Sequence, residues 1–145
     1  MKDKADEAIP SPPAGFEPQA GRGEFSSRNG PYFVRRADPA LVEQAFYALP
    51  RHCNGLGLVH GGMLSAFLDG LLAGAASRAT GSIAVTMHLS VDYIAMGRAG
   101  EWILGEARLT HAARDVAFAE GHVHVGGRVI ARATGVFKLM RRRGG

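Results

Sequence analysis

The sequence contains one cysteine, Cys53, among 145 residues, so no disulfide can form within the chain. It also lacks a long apolar run, because the longest, Met63 to Ala76, is interrupted by Asp69 and is shorter than the roughly 20 residues that span a bilayer. No charged-then-apolar signal opens the sequence. These absences exclude a disulfide scaffold and predict a soluble, cytoplasmic protein with no membrane partner.

The sequence has little excess charge outside its C-terminus. The net charge is +4, and Arg141, Arg142 and Arg143 supply three of these charges, which leaves +1 for the rest. Helix-turn-helix patterns, zinc-finger spacings and strands that mix aromatic and basic residues are also missing. We therefore predict no nucleic-acid partner, interpret residues 141–145 as a basic tail, and expect an anionic small molecule as the ligand.

Prolines are concentrated near the N-terminus. Four of the seven, Pro10, Pro12, Pro13 and Pro18, fall within residues 1–28, and this composition argues against burial of an apolar face. We predict a flexible arm over residues 1–28 and one domain over residues 29–140. The apolar content of 46% is sufficient for one core at this length.

Two segments precede the most apolar part of the chain. PYFVRR, residues 31–36, predicts a strand that is followed by turn residues. LVEQAFYAL, residues 41–49, is ambiguous, because its apolar spacing fits a helix whereas a hairpin partner of the first segment would be a strand. Periodicity alone does not decide a run this short.

The segment MLSAFLDGLLAGAASRAT, residues 63–80, is apolar on nearly every face, which predicts a helix that is wrapped by protein. Gly70 and Gly74 lie one turn apart within it, and each costs up to about 1 kcal/mol of helix propensity relative to alanine. We infer that another backbone approaches closely at these glycines, and a neighbouring helix is the candidate.

Downstream, apolar and polar residues alternate with period two from Val85 to Tyr93, which predicts a strand with Thr86 and Ser90 on its polar face. Further strands are predicted at about residues 101–111, 115–125 and 128–139. A turn near Ala113 and a two-residue hairpin at Gly126-Gly127 make the connections too short for parallel crossovers. The predicted fold class is α+β, with an antiparallel sheet curled around one helix.

The loop GLGLVHGG, residues 55–62, leads into this helix. Its spacing does not fit a dinucleotide-binding fingerprint, since His60 occupies the third glycine position. Gly61 and Gly62 instead place unpaired amides at a helix N-terminus, where the helix dipole favours developing negative charge, as in an oxyanion hole. Asn54 offers a further amide donor, and His60 can hold the loop through a ring hydrogen bond.

Asp69 is a carboxylate in the middle of this apolar helix, where burying a charge is costly. It either has a structural role, as a loop cap or the partner of an arginine, or acts as a catalytic base. Asp69 lies eight residues after Gly61, about 12 Å further along the helix, and cannot reach a carbonyl bound there. A two-fold dimer with antiparallel helices would bring each Asp69 to the other subunit's Gly61.

The segment HCNGLGLVHGGMLSAFLDG, residues 52–70, resembles the signature of hotdog-fold thioesterases of the phenylacetic-acid-degradation type. The resemblance covers about residues 30–140 and implies a hotdog fold, an antiparallel sheet wrapped around one long central helix. It also implies that Asn54 and the Gly61 amide hold a thioester carbonyl. The Asp69 of the partner subunit would then act as general base or nucleophile.

The same resemblance implies the remaining site residues and the substrate. Thr86 would position the attacking water, with Ser90 as the alternative, and Gly62 would line the pocket. Members of the family commonly bind coenzyme A with its nucleotide outside the pocket, so Arg114 and the terminal arginines would meet phosphates. The expected reaction is hydrolysis of an aryl- or medium-chain acyl-CoA to the free acid and CoA, without a cofactor or metal. The minimal active unit would be a homodimer, and a homotetramer is expected.

Other interpretations stay open at the level of sequence. Cys53 is a conceivable nucleophile, but a catalytic base is seldom its chain neighbour, as His52 is here. His122 and His124 have the spacing of a metal-ligand pair on a strand, although no third ligand is evident. A non-catalytic acyl-CoA-binding or lipid-binding hotdog protein would use the same pocket without hydrolysis. A hotdog dehydratase would require a different His and Asp motif, which the sequence lacks.

Overall fold

The structure is a computed structural model and describes residues 7–142. Within this range the elements are β1 (Glu17–Pro18), α1 (Glu24–Asn29), β2 (Phe33–Arg35), β3 (Val42–Tyr47), α2 (Gly61–Thr80), β4 (Ile83–Tyr93), β5 (Trp102–Ala113), β6 (Val116–Val125) and β7 (Arg128–Met140). A 3-10 turn, Pro50–His52, precedes the glycine-rich loop. No helix among residues 7–142 is long and apolar enough to cross a bilayer.

All seven strands belong to one antiparallel sheet, in the order β1-β2-β3-β5-β6-β7-β4. Helix α2 packs on the inner face of this sheet and contacts strands β3 to β7. The β5–β6 and β6–β7 connections are two-residue turns, and Gly126 and Gly127 in the second adopt φ values of 54° and 82°, as a hairpin turn of this kind requires. The arrangement confirms the predicted α+β class and the hotdog fold.

The main core lies between α2 and the inner face of the sheet. Its largest fully buried side chains are Phe46, Phe67, Phe137, Leu68, Leu71, Leu72, Ile103, Ile130 and Val123. Two strand glycines let the helix approach closely: a Cβ at Gly105 would overlap the Leu71 side chain, and one at Gly121 would lie 2.9 Å from Leu72 Cδ1. The glycines therefore set the distance between helix and sheet.

The ambiguous segment at residues 41–49 contains strand β3. It pairs with β2 and with β5, from Val42 opposite Ala107 to Tyr47 opposite Trp102. A strand at this position satisfies backbone hydrogen bonds on both sides, and this tertiary pairing outweighs the helical spacing of the apolar residues.

Helix α2 is not wrapped on every side in the single chain, which corrects the expectation from its composition. Eight of its residues are buried, whereas Gly62, Ala66, Asp69 and Ala73 form a strip that is exposed or half-exposed. We call these four residues the open face of α2. They share one side because they lie three or four residues apart.

The environment of Gly70 and Gly74 also differs from the expectation. A Cβ at Gly70 would overlap the guanidinium of Arg22, and one at Gly74 would lie 3.7 Å from the side chain of Val42. Side chains of the same chain, and not the backbone of a neighbouring helix, therefore occupy the space over these glycines in the subunit.

The N-terminal segment is attached to the sheet, which differs from the flexible arm predicted over residues 1–28. Residues 1–6 lie outside the described range, but β1 pairs with β2, and Phe16 is buried against Phe33 and Ala45 on the outer face of the sheet. The proline-rich composition of this segment gave no indication that one phenylalanine, Phe16, would be buried on the sheet. The boundaries at residues 28 and 140 remain predictions, and residues 143–145 of the predicted tail lie outside the described range.

Strand β4 forms one edge of the sheet and contains a bulge. Thr86 pairs with Phe137 and His88 pairs with Val136, so Met87 is an extra residue without a partner on β7. The predicted single alternation from Val85 to Tyr93 is therefore wrong. Because of the bulge, Thr86 faces α2, as do the partly buried residues that follow it on β4.

Candidate active site

Within residues 7–142, the first turn of α2 has one amide without a hydrogen-bond partner. The His60 ring accepts a hydrogen bond through Nδ1 from the Gly62 amide at 2.8 Å, and the His60 carbonyl accepts from Met63 and Leu64 at 2.9 and 3.1 Å. Among the described residues, only the Gly61 amide of this turn makes no hydrogen bond. The prediction that both glycine amides are unpaired is thus corrected, because His60 caps the helix through Gly62.

Asn54 shapes the loop that precedes this turn. Its Oδ1 accepts hydrogen bonds from the amides of Leu56 and Leu58 at 2.9 and 3.2 Å. Its Nδ2 group makes no hydrogen bond within residues 7–142, and the residue is exposed. One end of the Asn54 amide is therefore fixed by the loop, and the other end is available as a donor.

Asp69 and Thr86 meet at the open face of α2. Thr86 Oγ1 donates a hydrogen bond to Asp69 Oδ1 at 2.5 Å. Asp69 is half-buried, and within the described residues it forms no ion pair, so the structural role of pairing with an arginine does not apply in the subunit. Its second oxygen, Oδ2, makes no hydrogen bond in this range.

Tyr93 is a residue at this site that the sequence reasoning missed. Its hydroxyl donates to the Gly61 carbonyl at 3.1 Å and also contacts Ser65 Oγ, while its ring lies 3.4 Å from the position of a Cβ on Gly61. Alternation had assigned Tyr93 only to the apolar face of its strand. In the sequence, Tyr93 is marked only as the last residue of the predicted strand. The structure places this end of β4 beside the start of α2.

Asp69 and Gly61 do not meet within one chain. Both belong to α2 (Gly61–Thr80), and eight residues of helix separate them by about 12 Å. Within one subunit, the Gly61 amide and the Asp69 carboxylate are therefore too far apart to act on the same carbonyl group.

Two predicted substrate-binding residues lie away from the start of α2. Ser90 pairs with Thr134 and lines a polar groove on the outer face of the sheet, together with Asp92, Arg108 and Arg132. The bulge at residue 87 explains this, because Thr86 and Ser90 face opposite sides. Arg114, with φ of 44°, lies in the turn between β5 and β6, at the end of the sheet where α2 finishes.

A second groove of about 330 Å³ borders the start of α2. Its apolar lining comes from Phe25, Met63 and Ala66, and Arg28 and Arg51 add positive charge. His60 and Gly62 also line it, so this groove is continuous with the loop that presents the Gly61 amide. Phe25 is 73% exposed, an unusual position for a large apolar side chain.

Cys53 and His52, the alternative nucleophile and base, both make contacts that suit a structural role. The Cys53 thiol contacts the Leu49 carbonyl at 3.4 Å, and burial raises its pKa, which disfavours the reactive thiolate. The His52 ring accepts from the Leu49 amide through Nδ1 and contacts the Asn29 carbonyl through Nε2. Both nitrogens of His52 are thus engaged, and His52 does not contact the thiol as a base would.

The histidine pair on β6 lies on the outer face. His122 Nε2 is 3.1 Å from Glu106 Oε1, and the rings of His122 and His124 are 5.8 Å apart. Burial, and then the charge of His122, lower the pKa of His124. No group of three His, Cys, Asp or Glu side chains suited to a metal occurs in the described part of the chain.

Comparison with known proteins identifies the family of the chain. A family model for the thioesterase superfamily matches residues 56–131, which include Gly61, Asp69 and Thr86. A proposed esterase of Pseudomonas aeruginosa is 35% identical over 129 residues, which make up 88% of this chain and 96% of the relative.

Two solved structures are similar in fold. Thioesterase superfamily member 2 of zebrafish is 26% identical with a TM-score of 0.70, over 75% of this chain and 81% of that chain. A hypothetical thioesterase of Streptococcus pneumoniae, solved with coenzyme A, is 20% identical with a TM-score of 0.71, over 78% of this chain and 88% of that chain. From the matching residues and the shared fold, this chain belongs to the thioesterase superfamily.

Proposed function

We propose that the protein hydrolyses an aryl- or medium-chain acyl-CoA to the free acid and CoA, at a site shared by the two subunits of a homodimer. The observation that carries the proposal is the pair of separated groups on α2. The Gly61 amide is the free donor of the first turn, and the Asp69 carboxylate lies on the open face about 12 Å away. A two-fold axis between antiparallel helices would join them.

The surface around the open face of α2 supports such a dimer. Strand β4 is an edge strand of eleven residues that pairs only with β7 among residues 7–142, and Ile83, Val85, Met87 and Tyr93 on it are 43%, 46%, 61% and 55% exposed. An edge strand of this length with exposed apolar side chains is the kind of surface that pairs with a second chain. Because β4 borders the open face of α2, pairing of two β4 edges would also bring two helices side by side.

The start of α2 supplies the donors for the thioester carbonyl. The Gly61 amide and Asn54 Nδ2 are both available, and they would hold the oxygen as it gains negative charge. His60 and Tyr93 act as positioning residues, because they fix the first turn of α2 through Gly62 and Gly61 respectively. Pre-positioned donors of this kind stabilise the transition state without reorganisation.

The partner's Asp69 completes the reaction. Thr86 holds Oδ1, which leaves Oδ2 to take a proton from water as the water oxygen attacks the carbonyl carbon. The carbon–sulfur bond then breaks, and the thiolate of CoA takes up the proton. In the alternative, Oδ2 attacks the carbonyl carbon directly, CoA leaves as the thiol after protonation, and water hydrolyses the acyl anhydride. In 18O-labelled water under single-turnover conditions, label in Asp69 requires the anhydride and attack of water on its Asp69 carboxyl carbon, so label found there identifies the direct route.

The groove beside Phe25 supports an apolar acyl group. Phe25, Met63 and Ala66 offer apolar surface next to the loop of the Gly61 amide. Coenzyme A as the carrier rests on the family and on the related fold that was solved with coenzyme A. Turnover of aryl- and medium-chain acyl-CoAs, followed by release of free CoA, tests this substrate class, and no turnover of any thioester would contradict the proposed function.

The role of the Gly61 amide can be tested by removing one N–H group. Gly61 is the first residue of α2, and proline is well tolerated at that position because its amide needs no helical partner. The extended backbone of His60, with φ of −62° and ψ of 137°, also suits a residue before proline. Gly61→Pro should fold and lose about 100- to 1000-fold in kcat, whereas Gly61→Ala keeps the donor and should retain most activity. Equal activity of the two variants would remove the amide from the mechanism.

The shared site can be tested by mixing two inactive variants. A heterodimer of Gly61→Pro and Asp69→Asn subunits would contain one intact composite site and one site with both defects. With random pairing at equal amounts, half of the dimers are mixed and one of their two sites works, so about a quarter of wild-type activity should return. If activity stays at the level of the separate variants although the subunits have exchanged, the site does not span two subunits.

A further inference from the structure

Arg22 lies against α2 at Gly70, the residue that follows the candidate carboxylate Asp69. Its guanidinium occupies the space in which a Cβ at residue 70 would lie, so Gly70 is required for this contact. Gly70 lies about 100° around the helix axis from Asp69 but only about 40° from Ala66, which is four residues earlier in α2. Gly70 therefore borders the open face of α2, on which Asp69 lies.

The position of Arg22 is held by an aromatic stack. Its Cζ atom is 4.8 Å from the centre of the Tyr32 ring, and that ring is stacked on Phe67 with centroids 5.9 Å apart. The Tyr32 hydroxyl donates to Asn29 Oδ1 at 2.6 Å. A cation above an aromatic face is attracted electrostatically, and the stack gives the guanidinium a fixed platform.

Arg22 has no charged partner among residues 7–142. Arg28, Arg35, Arg51, Arg108 and Arg132 each form an ion pair with a carboxylate in this range. Arg22 is half-buried, yet it takes part in none of these ion pairs and donates no hydrogen bond within the described residues. Its planar fork of N–H donors is suited to a carboxylate or a phosphate.

We propose that Arg22 binds an anionic group of the substrate, either a carboxylate at the far end of the acyl group or a phosphate of coenzyme A. The inference rests on the proposed function, because it assumes that the thioester lies along the open face of α2. In the shared site, Arg22 and Asp69 come from the same subunit and act on the thioester held by the other. Asp69 takes part in the chemistry, and Arg22 selects the substrate.

Four substrates separate the two sources of negative charge. A neutral acyl group and an ω-carboxyacyl group of equal chain length are each prepared as the CoA thioester and as the N-acetylcysteamine thioester, which has no phosphate. If Arg22 binds the acyl carboxylate, Arg22→Gln should lower kcat/KM about 10- to 100-fold for both ω-carboxyacyl thioesters only. If it binds a CoA phosphate, the loss should affect both CoA thioesters and neither N-acetylcysteamine thioester.

Two further variants keep the test decisive. Arg36→Gln, which removes an exposed arginine that lines neither groove, should not reproduce the pattern. Gly70→Ala displaces the guanidinium without removing charge, and alanine favours the helix, so it should cause the same substrate-dependent loss as Arg22→Gln in a folded protein. An equal loss for all four substrates, or no loss for any, would overturn the inference and leave Arg22 a structural residue.

The failure of this inference differs from the failure of the proposed function. Wild-type protein that turns over neutral thioesters supports the function whatever Arg22 does. If wild-type protein hydrolyses none of the four, calorimetric binding of the same thioesters to wild type and Arg22→Gln gives the same comparison. A carrier- or carboxylate-dependent loss of affinity would then support the inference, and equal affinities would contradict it.

Discussion

His52 is buried beneath the loop that carries Asn54, and it predicts a pH dependence of stability. Burial, and then the charge of Arg51, lower the pKa of His52 below its usual value of 6.5. The folded state therefore favours the neutral ring, whereas the unfolded state takes up a proton first as the pH falls. The stability from His52 should be fully present above about pH 6.5 and be lost progressively below it.

This prediction can be checked by urea unfolding between about pH 7 and pH 5. Relative to His52→Gln, which cannot take up the proton, the wild type should lose free energy of unfolding as the pH falls. His111→Gln, at an exposed histidine, is the matched control and should leave the pH dependence of the wild type unchanged. If the free energy of unfolding changes with pH in the same way for the wild type and His52→Gln, the lowered pKa of His52 is not the cause.

The close packing of α2 against Gly105 predicts that a larger residue at this position destabilises the protein. A Cβ at residue 105 would overlap Leu71 Cδ1 and lie 2.9 Å from Phe67 Cε1. Gly105→Ala should lower the free energy of unfolding by about 1 to 3 kcal/mol, since α2 cannot move away from the sheet without opening the core. Gly55→Ala, where nothing lies within 4 Å of the added Cβ, should change it by no more than about 0.5 kcal/mol, and the two are compared by denaturant unfolding. Equal effects would exclude close packing as the cause.

At the element scale, the His60 cap predicts how the start of α2 is held. His60→Ala removes the bond to the Gly62 amide and should cost about 1 kcal/mol of stability. Asparagine is a strong N-cap, so His60→Asn should restore the stability. If His60 only positions the Gly61 amide, His60→Asn should also restore kcat, as measured with a neutral acyl-CoA. Restored stability without restored kcat would assign the imidazole a chemical role beyond the cap.

The bulge in β4 illustrates how one element can overturn a pattern. Strict alternation placed Thr86 on the same face as Ser90, opposite Leu89. The extra residue Met87 turns Thr86 towards Asp69 and leaves Ser90 on the outer face. Bulges are set by pairing with a second strand and by local twist, so single-strand periodicity could not predict this one.

On the scale of the whole molecule, the exposed β4 edge predicts the assembly. Val85→Lys combined with Met87→Lys places like charges near the two-fold axis and should convert a dimer into monomers, with loss of activity. Light scattering after size-exclusion chromatography gives the mass, and the activity of the wild type should fall on dilution. Val129→Lys, at a partly exposed apolar residue of β7, is the control and should remain a dimer. A double variant that stays dimeric and active would contradict the β4 interface, whereas the homotetramer stays a separate prediction.

The sequence by itself determined the fold class and the residue types of the site. Period-two alternation, an apolar helix and short turns are local patterns, and they sufficed to predict an antiparallel sheet around α2. The lone carboxylate Asp69 and the glycines at the start of α2 stood out because each is costly where it lies in the sequence.

Only the tertiary structure decided which donors remain free and which side chains meet. The His60 ring accepts a hydrogen bond from the Gly62 amide, and a bulge lets Thr86 donate to Asp69. Arg22 packs against Gly70, which lies forty-eight residues later in the sequence. The physical reason is that hydrogen-bond partners and packing contacts are chosen by the folded chain as a whole, whereas periodicity records only how each segment divides its apolar from its polar side.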